Sequence, residues 1–203
     1  ASKKGGEGQR WRTSVEARMA DMATRRAYVL VANLAYTKTS GNQIQFSDPY
    51  YVAKEMLVVK KANAGKPLTY FKGKRISANK GTTSEQSIVM KGGKPVTFQD
   101  AASAFLALEQ NKVVGFVTNT MTAIKMISQA QKDGISLGMV KEPMALEPIG
   151  VGMKKGEPQL LAAVNSGLKA MDDNGTIDKI WNQWIGPNTE YKMVREEHVQ
   201  PLS

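Results

Sequence analysis

Small hydroxyl and amide side chains gather at three places in this sequence, residues 33–40, 79–84 and 118–122. Each place follows an apolar run of the kind found in buried strands. A helix-forming run comes after the second and third places, and a predicted turn, residues 37–42, overlaps the first. The first turn of a helix leaves backbone N–H groups without acceptors, and such groups bind a carboxylate or another small anion. Each place taken alone is better explained as a helix cap or a turn, so a binding site is predicted only from the three places taken as a set.

The residue types on which most enzymes rely are nearly absent. The chain has no cysteine and a single histidine, His198, which excludes thiolate catalysis, zinc–thiolate and iron–sulfur sites, and most Ser-His-Asp arrangements. His198 lies in a polar segment near the C-terminus, where an exposed side chain is the simpler expectation. The sequence therefore predicts a protein that is not an enzyme and that carries no metal and no cofactor.

The charge balance is strongly basic, with 28 Lys and Arg residues against 18 Asp and Glu residues and a formal net charge of +10. An excess of this size can indicate nucleic-acid binding. Here the charges are scattered, and no helix–turn–helix, RNP-like or zinc-finger pattern accompanies them. A solvated basic surface fits better, so no nucleic-acid partner is predicted. The apolar runs are also far shorter than the roughly 18 residues of a membrane span.

Strands and helices alternate along the chain, which is typical of an α/β protein. The polar opening, residues 1–10, is expected to be disordered. Apolar residues at Trp11, Val15, Met19 and Met22 share one helical face. The predicted strands cover 27–34, 54–60, 71–78, 94–98, 113–117, 135–140 and 147–154. A turn is predicted at 37–42. One predicted helix begins within 79–85, and the others cover 101–110, 121–132, 158–171 and 176–185.

Several of these helices carry start or stop signals. Thr82 with Glu85 fits the capping box of a helix N-terminus, and Asp100 is a strong cap for the helix that follows it. Pro158 suits the first helical position because the N–H that it lacks would have no acceptor there. Gly134 favours the left-handed conformation that commonly ends a helix.

The segment QIQFSDPYYVAKEMLVVKK, residues 43–61, resembles the solute-binding proteins of ABC importers for polar amino acids. Five other stretches resemble the same family in the same order, and the ordered set is more specific than any one of them. These stretches are residues 25–33, FKGKRISANKGTTSE at 71–85, the block from Asp100 to Asn119, IGVGMKK at 149–155, and residues 160–186, which end in Trp181, Trp184 and Gly186. The resemblance covers about residues 11–186.

The resemblance implies a two-lobed α/β fold of the periplasmic-binding-protein type (type II), with mainly parallel sheets and a ligand cleft between the lobes. Lobe one would comprise residues 11–57 plus 147–203, and lobe two would comprise residues 61–142. Residues 58–60 and 143–146 would form the hinge. The implied function is the capture of a small polar ligand, an amino acid or related small carboxylate, for an ABC importer permease in the periplasm.

The ligand site that the resemblance implies draws on the three polar places. Its expected residues are Asn33, Leu34, Ala35, Thr37, Ser40, Thr82, Thr83, Ser84 and Asn119. Two of them depart from the family pattern, which has an Arg where Ser40 stands and an Asp where Asn119 stands. Charge-assisted hydrogen bonds contribute roughly 1.5–3 kcal/mol each, so tight binding of an ordinary zwitterionic amino acid is not expected.

The start of the chain departs from the family pattern as well. The strand–helix–strand unit that the family has ahead of the helix at Trp11 has no counterpart here. Lobe one is therefore expected to be incomplete and to expose strand edges. Three explanations stay open: a chain that is longer than this sequence, strand exchange in a homodimer that covers these edges, or a rebuilt lobe one.

Two other functions stay open beside ligand capture. The first is a binding-impaired or sensory relative that acts through a partner surface. The second, less favoured, is a dehydratase-like enzyme on the same fold. An enzyme would need a general acid or base in the cleft, and Glu85 and Glu142 are the candidates.

Overall fold

The computed structural model describes residues 28–32, 35–36 and 38–201, and for residues 38–40 it describes the backbone only. The opening segment 1–10 and the helix predicted from Trp11 lie outside these residues. Within the described part of the chain, no helix has the length and apolar character needed to cross a bilayer.

Strands and helices alternate through the described residues, as predicted. The strands are β1 (Val29–Leu30), β2 (Gln45–Phe46), β3 (Tyr51–Lys60), β4 (Arg75–Asn79), β5 (Lys94–Phe98), β6 (Gly115–Asn119), β7 (Leu137–Met139), β8 (Ala145–Ile149) and β9 (Gly152–Met153). The helices are α1 (Lys38–Gln43), α2 (Thr83–Met90), α3 (Ala101–Glu109), α4 (Thr120–Lys132), α5 (Pro158–Asp173) and α6 (Thr176–Trp184).

The larger sheet contains six strands in the order β5-β4-β6-β3-β7, and β8 pairs with the first half of β3. β4 runs parallel to β5 and to β6, and α2 and α3 provide the crossover connections that parallel strands need. β3 runs antiparallel to β6, β7 and β8. The α/β class is confirmed, with its parallel pairing in the β5-β4-β6 part of the sheet.

β3 is the longest strand, and two ladders overlap on it. Its residues 51–55 pair with β8, and its residues 55–59 pair with β6. At the overlap, Glu55 pairs with Ala145 on one side and with Asn119 on the other. The chain then passes from β8 into β9, the central strand of a smaller antiparallel sheet with the order β1-β9-β2. β3 and β8 together therefore connect the larger sheet to the smaller one.

Successive residues of β3 face two separate apolar clusters, as the pleat of a strand requires. Leu57 and Val59 pack in the cluster that contains Ile88 of α2. Val58 packs in the cluster that contains Phe105 of α3 and Phe116 of β6. Helices thus cover both faces of the larger sheet, and β3 has a nearly continuous apolar sequence because both of its faces are buried.

The C-terminal segment after α6 packs against α5 and α6. Arg195 is buried and forms ion pairs with Asp172 at 2.6 Å and with Asp178 at 2.8 Å. The Val199 N–H donates to the second carboxylate oxygen of Asp172 at 2.9 Å. The His198 side chain is exposed, as predicted, and its Nδ1 lies 3.2 Å from Asp172 Oδ1. These contacts fix the end of the described chain to the helix pair.

The turn predicted at 37–42 is wrong, because Lys38–Gln43 form the short helix α1. The turn prediction rests on Gly41 and Asn42, which have low helix propensity. In the structure, Gly41 lies so close to the ring of Tyr36 that a Cβ at this position would be 2.7 Å from Tyr36 Cε2. Packing against that ring outweighs the intrinsic preference of glycine, which disfavours a helix by about 1 kcal/mol.

Gly186 follows α6 and lies against the last turn of that helix. A Cβ at Gly186 would be 2.4 Å from Asn182 Cα and 2.8 Å from Asn182 O. These are backbone atoms and cannot rotate away, so we expect Gly186→Ala to lower the free energy of unfolding by about 1–3 kcal/mol in urea denaturation. Gly167→Ala on α5 is the control. It places its methyl group in open space and should stabilise the helix by about 0.5–1 kcal/mol. Equal effects of the two changes would contradict the steric argument.

Candidate functional site

The N-terminus of α2 is held by a variant of the predicted capping box, in which Glu85 reaches the residue before the N-cap. Thr82 is the N-cap, and its Oγ1 accepts from the Glu85 N–H at 3.5 Å and donates to Asn79 O at 2.7 Å. A Glu85 carboxylate oxygen accepts from the Gly81 N–H at 2.7 Å. Gly81 has φ of +74°, a conformation in which glycine avoids the strain of other residues. The loop therefore presents the first turn of α2 in a fixed orientation.

The N-terminus of α4 is fixed in a similar way at the end of β6. Asn119 is the N-cap, and its Oδ1 accepts from the Thr122 N–H at 3.0 Å. The Thr120 hydroxyl donates to Lys54 O at 3.0 Å and so joins the helix start to β3. Asn119 thus has a structural role as a cap, in addition to the ligand contact that the resemblance implies.

Glu55 connects the two helix starts. Its backbone pairs with Asn119 of β6, and the Ser84 hydroxyl in the first turn of α2 donates a short hydrogen bond to its carboxylate. Residues directly opposite each other in an antiparallel pair project to the same face of the sheet. The side chains of Glu55 and Asn119 therefore share one face, and Glu55 is only 5% exposed.

Burial is the main influence on the Glu55 carboxyl group and raises its pKa above the usual value for glutamate. The hydrogen bond from Ser84 favours the ionised form and lowers the pKa, whereas the negative charge of Glu147 raises it. No Lys, Arg or His side chain among the described residues forms an ion pair with Glu55. The result is a buried acidic group with a hydroxyl partner and no cation.

Two predicted site residues of the second and third polar places adjoin Glu55, and two others lie at the start of α2. Ser84 contacts Glu55 directly, Thr82 caps the helix that carries Ser84, and Asn119 pairs with Glu55. Thr83 is half-buried at the first position of α2. The structure therefore brings the starts of α2 and α4 to one point, although each is also explained as a cap.

The first polar place is described only in part. Asn33, Leu34 and Thr37 lie outside the described residues, and Ser40 is described only as a backbone position in α1. Ala35 forms an antiparallel bridge to Ile149, the residue at the far end of β8 from Ala145. At about 3.3 Å per strand residue, Ala35 is roughly 13 Å along β8 from the level of Glu55. A separation of this length is compatible with a small ligand between residues 33–40 and the starts of α2 and α4.

The two carboxylates named as acid–base candidates have other partners. Glu85 completes the α2 capping box, and Glu142 is exposed and pairs with Lys91 at 3.1 Å. Within the described ranges, no group of three or more His, Cys, Asp or Glu side chains is placed to hold a metal ion. Each of the two candidate carboxylates thus has a partner of its own within the fold.

Sequence reasoning missed Glu55. The available signal was its position, because a charged residue stands immediately before the apolar run MLVV inside a predicted strand. Strand residues with both faces buried are normally apolar, so a glutamate there is either at the strand edge or in a special environment. The sequence could not distinguish these two cases, because Ser84 and Asn119 are far from Glu55 along the chain.

Comparison with known proteins agrees with the architecture. The family model for bacterial extracellular solute-binding proteins, family 3, matches residues 3–187. The glutamine-binding protein GlnH of a Bacillus subtilis ABC transporter is 30% identical over 77% of this chain and 57% of its own length. ABC transporter arginine-binding protein 1 of Escherichia coli is 25% identical over 79% of this chain and 67% of its own length. The chain thus spans 57% to 67% of these two relatives.

Solved structures give the same result. An ancestral arginine-binding protein bound to glutamine aligns with a TM-score of 0.64 and 32% identity, over 85% of this chain and 77% of that one. The GluR0 ligand-binding core, solved with L-glutamate, aligns with a TM-score of 0.69 and 17% identity, over 86% of this chain and 80% of that one, and shares the fold. With 185 consecutive residues inside the family model, from 3 to 187, the chain belongs to the bacterial extracellular solute-binding proteins, family 3.

Proposed function

We propose that this protein binds a small polar ligand, an amino acid or related small carboxylate, in a cleft between two lobes and delivers it to an ABC importer. The observation that carries the proposal is the convergence of the α2 and α4 N-termini at the buried Glu55. Helix N-termini favour anionic groups, and a buried carboxyl group favours a cationic one. A zwitterionic molecule offers both. The glutamine- and arginine-binding relatives support the same ligand class.

The proposed lobes follow the boundaries implied by the sequence, with residues 61–142 in one lobe and 11–57 plus 147–203 in the other. The overlap of the two ladders on β3 supports a crossing near Glu55 and Ala145. Two antiparallel segments that pass between sheets can bend together, which is the usual geometry of hinge closure around a ligand. The cleft would then lie between the α2 and α4 starts on one side and residues 33–40 on the other.

The proposed location and partners follow from the family. We place the protein outside the cytoplasmic membrane, in the periplasm, with the permease of an ABC importer as its partner. Exchange of strands in a homodimer stays a prediction, and light scattering of the purified chain measures it directly. Strand exchange predicts the mass of two chains, because an exchanged pair is a closed assembly, and the mass of one chain would contradict it.

A second function is favoured by one feature, the uncharged residues Ser40 and Asn119. A relative that has lost ligand affinity and acts through a partner surface would retain the fold and the helix caps described above. The same capping bonds at Thr82 and Asn119 occur in either case, so the structural role of these residues does not separate the two functions.

Calorimetric titration with glutamine, arginine, lysine, cystine and glutamate separates the two functions. We expect at least one ligand to bind with a micromolar or lower dissociation constant. That ligand, at 100 times its dissociation constant, should stabilise the fold by about 2.7 kcal/mol and raise the melting temperature. No heat and no change in melting temperature with any of the five would contradict ligand capture and favour the partner-binding function.

A further inference from the structure

We propose that the carboxylate of Glu55 binds the ammonium group of the ligand and thereby sets a preference for amino acids over the corresponding acids without an amino group. This inference rests on the proposed function and adds to it a residue and a chemical preference. It is carried by the burial of Glu55, by the partner of its carboxylate and by its position between two helix starts.

An ionised carboxylate this deeply buried normally has a cationic partner, because removing a charge from water without one is costly. In the described part of the chain, Glu55 has only the Ser84 hydroxyl. Ser84 donates a single hydrogen, whereas two carboxylate oxygens accept several hydrogen bonds. The partial positive charge at the α2 N-terminus reduces the cost and does not remove it. Glu55 therefore keeps capacity for a cation that the described side chains do not supply.

The nearest lysine in sequence is directed elsewhere. Successive side chains of a strand project to opposite faces, so Lys54 and Glu55 leave β3 in opposite directions. Lys54 contacts Glu197 at 3.4 Å and forms a short ion pair with Glu196 in the C-terminal segment. Lys80 is exposed at the end of β4. At the overlap of the two ladders, the cation proposed for Glu55 is therefore the ammonium group of the ligand.

The site also explains how an uncharged Asn119 is compatible with ligand capture. Asn119 stands directly opposite Glu55 on β6, and its side-chain oxygen is committed to the Thr122 N–H. Of these two opposed residues, only Glu55 on β3 can therefore offer a negative charge to a ligand. A ligand ammonium placed between the two residues would contact the carboxylate of Glu55 and leave the helix cap intact.

Calorimetry on the full chain tests the inference with three pairs of probes: L-glutamine and 4-carbamoylbutanoate, L-glutamate and glutarate, and L-arginine and 5-guanidinopentanoate. We expect the amino acid of the bound pair to bind at least tenfold more tightly than its partner without the amino group. Glu55→Gln keeps the size of the side chain and removes the charge. It should weaken binding of the amino acid about 10- to 100-fold, the range for loss of a charge-assisted hydrogen bond, and leave the partner's binding unchanged.

A purely structural role for Glu55 predicts a different result. If the carboxylate served only to hold α2, Glu55→Gln would lower the melting temperature of the empty protein. We expect an equal or higher melting temperature, because the change removes a buried charge that lacks a cation. Glu142→Gln, which alters an exposed carboxylate paired with Lys91, is the control and should change the dissociation constant by less than twofold.

The possible failures are distinguishable. Equal affinity of the unaltered protein for both members of a bound pair would overturn the inference, even if Glu55→Gln failed to fold. Binding of the amino acid by Glu55→Gln with unchanged affinity would overturn it as well. In both cases the proposed function would stand. If the unaltered protein bound none of glutamine, arginine, lysine, cystine and glutamate and none of the three partners without the amino group, the proposed function and the inference would both be wrong.

Discussion

Replacing Asp172 by asparagine should lower the free energy of unfolding by about 3–5 kcal/mol, the usual cost of removing one partner from a buried ion pair. Asp172 and Arg195 have side chains that are 4% and 5% exposed, and they pair at 2.6 Å. The same carboxylate accepts from the Val199 N–H. Asparagine removes the negative charge and leaves the guanidinium buried beside Asp178, which is itself half-exposed. Urea denaturation monitored by circular dichroism measures the change.

The adjacent residue provides the control. Asp173 also ends α5 and pairs with Lys169, but both side chains are more than half exposed. Ion pairs in that setting contribute at most about 1 kcal/mol, so Asp173→Asn should change stability by less than that. If the two substitutions had equal effects, the C-terminal segment would not be held by the buried pair.

The same carboxylate predicts an acid-dependent loss of stability. Burial alone would raise the pKa of Asp172, but hydrogen bonds from Val199, Arg195 and His198 outweigh it and lower the pKa from 3.8 to about 2. A folded-state pKa below the unfolded value stabilises the fold above pH 3.8, and this contribution disappears as the pH falls towards 2. Its size is about 2 kcal/mol. Asp172→Asn should lack this part of the pH dependence when stability is measured between pH 5 and about pH 2.

Replacing Phe116 by alanine should lower the free energy of unfolding by about 3–5 kcal/mol, the range for removal of a buried aromatic side chain. Phe116 is fully buried on β6 and packs edge-to-face against Phe105 of α3, with ring centroids 5.7 Å apart. Since β6 ends at the Asn119 cap, we also expect weaker protection of the α4 N-terminus. Urea denaturation measures the loss of stability, and hydrogen exchange at residues 120–123 measures the loss of protection.

Leu106 on α3 is the matched control for the truncation. Its side chain is 48% exposed, so Leu106→Ala removes a large apolar group from a site that already contacts water. We expect Leu106→Ala to lower the free energy of unfolding by less than about 1 kcal/mol, as substitutions outside the core usually do. A loss of several kcal/mol from Leu106→Ala would show that α3 buries a different face from the one described.

The local parts of the fold were predictable from the sequence. The caps at Thr82 and Asp100 accept the backbone N–H groups that their spacing predicts, and Pro158 starts α5. Each of these signals depends on residues at most three or four positions apart, so the chain carries the complete information locally. The turn predicted at 37–42 failed because a contact with the Tyr36 ring, not local propensity, determines the conformation there.

The parts of the candidate site that depend on distant partners were not predictable. Glu55 acquires its role from Ser84, 29 residues later, and from Asn119, which pairs with it across the sheet. Arg195 likewise stands in a polar segment of the sequence, where an exposed side chain is expected. In the structure its side chain is buried beside Asp172. Register between strands and the return path of a terminal segment are set by packing of the whole domain, so no local pattern contains them.

The continuity of β3 has a consequence for how the molecule unfolds. One strand contributes hydrogen bonds to the β6 ladder, the β7 ladder and the β8 ladder, and β8 leads directly into the smaller sheet. All three ladders lie in the larger sheet, and the chain connects that sheet to the smaller one twice, from β2 into β3 and from β8 into β9. Loss of pairing at β3 and β8 would therefore disturb both sheets, and this coupling favours a single cooperative transition over stepwise melting.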